Sequence, residues 1–594
     1  MCGIAGWIEW NGQVNRPLFN QMRDTLAHRG PDGAGSHFTA DGRVALGHRR
    51  LAFLDLSNAG LQPMRLPNRE LWITLNGEIY NYSELRTDLL AFGHIFQTQT
   101  DTEVLLHGYV QWGMDGLLAK LHGMFAFALF DGEGHKLHLV RDRFGIKPLY
   151  YHQVNERLIF ASELKAIIAS NLVSKEVDMA AFADYFVYRY VPSPHTIWKT
   201  VKKLPPAHRL EVNTADGTSQ LHQYWSLSYG AEQGNPKELA SEVGKMLATS
   251  VNEHSRSDVE IGAFLSGGYD SSAIVMHLAQ QKAGVKAFSI GFKDWENSED
   301  HHAVIVANHL HADLTTMKAD NTMIGILPLM PNVYDEPIAD ISILPTFLVS
   351  QLAAQKVKAV MSGEGADELF GGYNWQKEYY ARWHPNGWKD KLRLLTKDPS
   401  DTAVEDYAGY MSMGRFNTEN LREMLCENHH KAIRGDVDWF YRQHYRPELT
   451  PLRSFQHMDI KCFMGELVLT KIDRASMAHS LEVRVPFLDH HLFEKVFSYK
   501  EEVTYYPSTT KYLLYENIKD HLPKSILNRG KQGFVGPDDV YMDVMFYQEL
   551  LIGGKLIKDG IIQHRFVNRL LVDKDHWRLW KLAVMEHWWR KWMI

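Results

Sequence analysis

Cysteine follows the initiator methionine directly in Met1-Cys2-Gly3-Ile4-Ala5-Gly6. Removal of Met1 would leave a thiol and a free α-amine on one residue. A thiolate attacks acyl carbons well, and an α-amine with an intrinsic pKa near ~8 serves as a local base. Four further polar clusters are poor core material: His28-Arg29-Gly30-Pro31-Asp32, Arg49-Arg50-Leu51, Asn76-Gly77-Glu78-Ile79-Tyr80-Asn81 and Thr100-Asp101-Thr102-Glu103. Each suits amide hydrolysis. Attack on a carboxamide creates an oxyanion, which the Asn76 side chain and the Gly77 N–H can meet. Arg50 can pair with the α-carboxylate of a free amino acid, and Asp101 with its α-ammonium. Asn76-Gly77 alone would also suit a tight turn.

The second half carries a different set. Ser266-Gly267-Gly268-Tyr269-Asp270-Ser271-Ser272 has two glycines that admit an anion close to the backbone, with hydroxyls beside them. It lacks the Gly-x4-Gly-Lys-Ser/Thr of the P-loop. Ser362-Gly363-Glu364-Gly365-Ala366-Asp367-Glu368 forms a second, acidic loop. Asp270 and Asp367 together offer the carboxylate oxygens that Mg²⁺ takes alongside phosphate.

The elements that must hold these residues differ between the halves. Up to about residue 210, short apolar runs at Arg43–Leu46, Leu71–Leu75, Met124–Phe130, Leu137–Val140 and Leu158–Ala161 are separated by turns. That pattern predicts antiparallel sheets. From about 240, helix and strand alternate: a helix over Leu239–His254, strands over Val259–Leu265, Val285–Phe292 and Val357–Met361, and a helix over Ala273–Gln281. Alternation predicts a doubly wound parallel sheet with ligands beyond the carboxyl ends of its strands. Both glycine-rich loops fall at such ends.

These motifs carry a resemblance. The Met1–Ile4, His28–Asp32 and Asn76–Asn81 segments, with Arg141–Tyr151, resemble the glutaminase domain of class II glutamine amidotransferases, an N-terminal-nucleophile fold. The Ser266–Ser272 loop resembles the pyrophosphate loop of ATP pyrophosphatases. Leu469–Met477, Leu481–Asp489, Thr510–Leu514 and Arg529–Phe534 extend the resemblance to glutamine-hydrolysing asparagine synthetases over nearly the whole chain. The resemblance implies an α+β glutaminase domain over 1–210, a connection over 211–239, and an α/β ATP pyrophosphatase domain over 240–594 with a helical C-terminal part. It implies Cys2, Asn76, Gly77, Glu364 and Lys511 as catalytic residues. Glutamine falls to Arg50, Leu51, Ala52, Phe53, Leu54, Asn76, Gly77, Glu78 and Asp101. ATP falls to Leu265, Ser266, Gly267, Gly268, Asp270, Ser271, Ser272, Ile290, Ser362 and Gly363, and Mg²⁺ to Asp270 and Asp367. The implied activity is asparagine biosynthesis: glutamine hydrolysis, adenylation of an acceptor carboxylate with release of pyrophosphate, and amide formation. Aspartate is the favoured acceptor. A uronic-acid sugar or the carboxylate of a specialised metabolite is the alternative, kept open by two departures from the family pattern, Tyr269 for leucine and Tyr515 for arginine. An inactive scaffold that merely keeps the fold fits poorly with Cys2, Asp270, Asp367 and Lys511 all present.

Composition agrees. The chain has 594 residues, 45% of them apolar and 23% charged, with net charge −7 and three cysteines. That length exceeds one core and predicts roughly two to four domains. Few cysteines fit a reducing cytoplasm rather than a disulfide framework. The first residues lack the basic-then-apolar pattern of a secretory signal. No apolar run reaches the ~18 residues of a membrane span. No long basic block suggests nucleic acid. The partners expected are glutamine, ATP and a carboxylate; a homodimer is compatible with the sequence. The tryptophan-rich Trp577–Trp592 stretch predicts a docked C-terminal helix rather than a membrane-surface one.

Overall fold

The computed structural model describes residues 2–385, 400, 402–530, 533, 534 and 536–593. Met1, whose removal the sequence raises, and Lys531 and Gln532 of the Arg529–Phe534 motif lie outside the described residues.

The N-terminal half is built from two six-stranded antiparallel sheets. In the first, Gly3–Glu9 is central, between Arg157–Ala161 and Val44–Arg50. In the second, Leu71–Ile79 pairs along its length with Gly123–Asp131. Both central strands are buried nearly throughout, so their continuous apolar character is that of strands covered on both faces. Strands His208–Asn213 and Ser219–Gln223 extend the second sheet into the stretch read as a connection over 211–239. The alternation Leu210, Val212 places apolar side chains against that sheet's core, while the polar residues that suggested a linker line its outer edge.

The C-terminal half contains a five-stranded sheet in the order Asp313–Ala319, Lys286–Phe292, Ile261–Phe264, Ala359–Met361, Glu482–Arg484, with every described pairing parallel. The order reverses between Ile261–Phe264 and Ala359–Met361. Loops leaving neighbouring strands there diverge, which opens a crevice at their carboxyl ends. The helix expected over 273–281 begins earlier, at Tyr269. Asp270, Ser271 and Ser272 occupy its first turn, where short polar side chains serve N–H groups that lack an intrahelical partner. The last helix, His576–Trp592, is docked. Trp580 and Trp588 are buried, and their indole N–H groups donate to the carbonyls of Ala339 and Asp335 at 3.1 and 3.0 Å. No helix among the described residues is long and apolar enough to cross a membrane.

The halves meet across a buried ion cluster. Arg29 reaches Glu163 at 2.8 Å and Asp473 at 2.9 Å, and Arg474 reaches Glu163 and Asp335, each at 2.8 Å. These side chains are at most 3% exposed. Removing one member would strand its partners without water, at a typical cost of ~3–5 kcal/mol.

Candidate functional site

Strand Gly3–Glu9 and strand Leu71–Ile79 bring Cys2 to Asn76. The Cys2 N–H donates to Asn76 Oδ1 at 3.0 Å. That contact fixes the orientation of the amide and leaves Asn76 Nδ2 buried with no hydrogen-bond partner. A desolvated, unused donor beside a thiol is a large electrostatic asset for an oxyanion and otherwise a cost. Gly77 follows at φ 151°, and a Cβ there would lie 2.1 Å from the Met124 carbonyl oxygen, so only glycine fits. Arg29 Nε donates to the Cys2 carbonyl at 3.0 Å, tying the backbone of Cys2 to the ion cluster. Burial raises the Cys2 thiol above its ordinary pKa, so a neighbouring base is needed to ionise it.

Around the thiol, Leu51, Ala52 and Phe53 are buried and Leu54 is half-buried. Arg50 does not lie open as the two-pronged ligand that its type suggested. Its terminal nitrogens donate to the carbonyls of Leu54, Asp55 and Ser57, so it holds the 54–57 loop in place. Asp101 accepts the Ile79 N–H at 2.9 Å, and burial lifts its carboxyl to about 6. Burial also raises Glu78 well above the usual range, even against Arg484, whose guanidinium lies 3.5 Å away.

The second constellation fills the crevice of the parallel sheet. Gly267, at φ 75°, lets the turn pass His302, whose main chain a Cβ would approach to 2.5 Å. The Ser266 N–H donates to Ser271 Oγ at 3.1 Å and the Gly268 N–H to Ser266 Oγ at 3.3 Å. Leu265, Ser266, Gly268, Asp270, Ser271, Ile290, Ser362, Gly363, Glu364 and Asp367 line one cavity of about 520 Å³. Gly267 shapes the turn without lining this cavity, and Ser272 is buried behind it. Glu364 Oε2 is buried with no hydrogen-bond partner, and burial raises its carboxyl.

Lys511 sits between the two acidic loops: Nζ is 2.6 Å from Asp270 and 2.8 Å from Asp367. It precedes the helix Tyr512–Ile518 at φ 51°, a left-handed turn that points the ammonium inward. Asp270 and Asp367 thus present carboxylate oxygens to one point beside the loop. That all-oxygen set fits a hard divalent cation shared with phosphate.

Among the wall residues, Arg189, Tyr373, Trp375 and Phe463 carried no sequence signal. Arg189, also left-handed at φ 73°, lines the cavity from the C-terminal cap of helix Met179–Tyr188; its Nε is buried without a hydrogen-bond partner. Lys471 reaches Asp340 at 3.4 Å beside it. Tyr373 stacks on Trp375 at 4.1 Å, with Phe463 edge-on to both. Tyr269 donates its hydroxyl to the Leu527 carbonyl, and its ring lies 6.3 Å from that of Tyr515, so the two unusual tyrosines are neighbours.

One strand touches both constellations. The Arg484 side chain approaches Glu78 and bonds Glu482 at 2.6 Å, while its carbonyl accepts the Ser362 N–H at 2.9 Å.

Residues 1–225 match the family model described as a glutamine amidotransferase domain, and residues 242–590 match that of asparagine synthase. Asparagine synthetase [glutamine-hydrolyzing] 1 of Bacillus subtilis (strain 168) is 34% identical over 90% of this chain and 87% of its own. A putative asparagine synthetase [glutamine-hydrolyzing] of Mycobacterium bovis is 31% identical over 99% of this chain and 97% of its own. Amidase chry2 of Gibberella zeae is 27% identical over 90% of this chain and 89% of its own.

Proposed function

Since the chain belongs to the glutamine-hydrolysing asparagine synthetase family, a group of ATP-using ligases, we propose that it transfers glutamine nitrogen to the side-chain carboxylate of aspartate. The strand Glu482–Arg484 supports the coupling of glutamine hydrolysis to the ATP-using step, because one residue of it contacts both Glu78 and the Ser362 loop.

In the proposed mechanism, Cys2 Sγ attacks the glutamine carboxamide carbon. The Cys2 α-amine, freed by loss of Met1, takes the thiol proton and returns it to the departing nitrogen. Asn76 Nδ2 and the Gly77 N–H hold the oxyanion. Ammonia leaves a glutamyl thioester, which water hydrolyses to glutamate. In the crevice, an acceptor carboxylate oxygen attacks the α-phosphorus of ATP and pyrophosphate departs. Ammonia then displaces AMP from the acyl-adenylate. Lys511 and the Ser266–Ser272 turn bind the phosphates, and Glu364 receives a proton from the attacking ammonia. A magnesium ion on Asp270 and Asp367 would neutralise the leaving pyrophosphate. Ammonia must cross unprotonated. One continuous buried apolar cluster, which contains Leu51 and Phe53 on one side and Val483, Met361 and Leu265 on the other, supports a dry route.

We assign the glutamine ammonium to Asp101. Its carboxyl at about 6 loses its charge as pH falls through that value. The KM for glutamine should therefore rise about tenfold per pH unit below it, as expected for one titrating group. Asp101→Asn should raise KM at neutral pH and flatten that slope, read by glutamate release. An unchanged slope in the variant would remove Asp101 from this role.

A second reading, a larger carboxylate acceptor, is favoured by the aromatic wall of Tyr373, Trp375 and Phe463, which offers more apolar surface than aspartate's single methylene needs. In both readings Arg189 meets a further anionic group of the acceptor. Pyrophosphate release should be followed with Mg-ATP, glutamine and a panel of carboxylates. Asparagine formation from aspartate supports the first reading; release with a bulkier carboxylate alone overturns it. Arg189→Met should raise the KM for the true acceptor by roughly 10–100-fold, the loss expected of a charge-assisted contact of ~1.5–3 kcal/mol, and leave that for ATP unchanged.

A further inference from the structure

Away from both constellations, three imidazoles converge where the halves meet. His122 lies between helix Asp101–Lys120 and strand Gly123–Asp131. His490 and His491 open the helix His490–Ser498 of the other half. One nitrogen from each of the three lies within 4.8 Å of the others. The ring centroids are 5.2 Å apart for His122 and His490, and 5.1 Å for His122 and His491. Oxygen donors stand beside them. Asp489 Oδ2 is 2.9 Å from His122 Nε2, and Glu253 Oε2 is 3.4 Å from His122 Nδ1. That Glu253 oxygen is buried and makes no hydrogen bond. Two arginines lie near: Arg143 donates to the carbonyls of Leu121 and Leu118, and Arg256 pairs with Glu84 at 3.1 Å.

Imidazole nitrogens with a carboxylate oxygen are a donor set for a borderline divalent ion of the zinc class and a poor one for magnesium. Zinc bonds imidazole at ~2.0–2.1 Å, so the nitrogens must draw together by roughly 1 Å. His491 is 56% exposed on its side chain and can supply most of that movement by rotation. His122 is fixed from behind: its N–H donates to Asn81 Oδ1 at 3.0 Å and its carbonyl accepts the Tyr80 N–H at 2.7 Å.

We propose that His122, His490 and His491, with a carboxylate oxygen from the Asp489–Glu253 pair, form a zinc-class metal site that pins the glutaminase half to the synthetase half. The ion would be held by His122 on one side and the helix His490–Ser498 on the other. It would stiffen the Asn76–Asn81 segment through the two backbone contacts of His122. The site is separate from Asp270 and Asp367 and does not rest on the proposed reaction.

The test uses the full chain carrying Cys2→Ala, which removes a competing thiol, in excess Mg²⁺. Zinc should bind at one equivalent per chain by equilibrium dialysis and raise the melting temperature. Cobalt should give the visible absorption of a four-coordinate nitrogen and oxygen site. His122→Gln and His491→Gln should each weaken binding by at least ~10–100-fold and abolish the cobalt spectrum. His491 is exposed, so its variant keeps the fold and tests the site even if His122→Gln does not. Zinc affinity equal in the parent and in His491→Gln would overturn the assignment, as would a cobalt spectrum without four-coordinate bands.

Discussion

Cys2→Ala is expected to abolish glutamine-dependent amide synthesis while synthesis from free ammonia continues at its normal rate. The expected loss is roughly 10⁴- to 10⁶-fold, the range seen when a member of an acyl-transfer triad is deleted. The fold should tolerate the change, because the thiol makes only a 3.8 Å contact to the Leu51 carbonyl and its backbone bonds to Asn76 and Arg29 remain. Glutamate release and amide formation, measured with glutamine and then with an ammonium salt, separate the two outcomes. Glutamine-dependent synthesis that survives would mean that another group attacks the carboxamide.

Lys511→Met has the mirror-image expectation. Pyrophosphate release should fall by roughly 10²- to 10³-fold, the scale for removing one preorganised stabiliser of developing charge. Glutamine hydrolysis should persist. Lys511 is 3% exposed, and its ammonium is the cation between Asp270 and Asp367. Without it the phosphates lose a fixed ammonium beside Asp270 and Asp367, so phosphate binding weakens along with catalysis. Retained glutamate release would show that the chain is folded, and pyrophosphate release at the wild-type rate would exclude Lys511 from the chemistry.

Both of these residues were legible in the sequence, for different reasons. Cys2 stands out by its place directly after Met1, and Asn76 and Gly77 by the polar Asn76–Asn81 string that follows an apolar run, so their candidacy shows in one dimension. The Ser266 and Ser362 loops were legible because each follows an apolar strand, and a parallel sheet puts such loops side by side. Lys511 was legible only by resemblance; its inward turn depends on a left-handed backbone that no helix propensity reveals. Arg50 shows the converse. Its residue type suggested a ligand, and its contacts with three carbonyls of its own loop add a structural role that the sequence did not show. Arg189 and the stacked Tyr373–Trp375 pair were invisible, since their place in the cavity is set by packing between distant segments. His122 likewise meets His490 and His491 only once the halves dock.

The ion cluster of Arg29, Glu163, Asp335, Asp473 and Arg474 bears on how such a protein can be recombined. Arg29 holds the Cys2 carbonyl with one nitrogen and Asp473 of the opposite half with others. A chimera that joins this chain's first half to another protein's second half keeps Cys2 in register only where that second half supplies a carboxylate at the place of Asp473 and a guanidinium at the place of Arg474. The two halves are therefore exchangeable only as far as the partners of Arg29 and Glu163 are kept, and a productive crossover needs the charges of Asp473 and Arg474 along with Cys2.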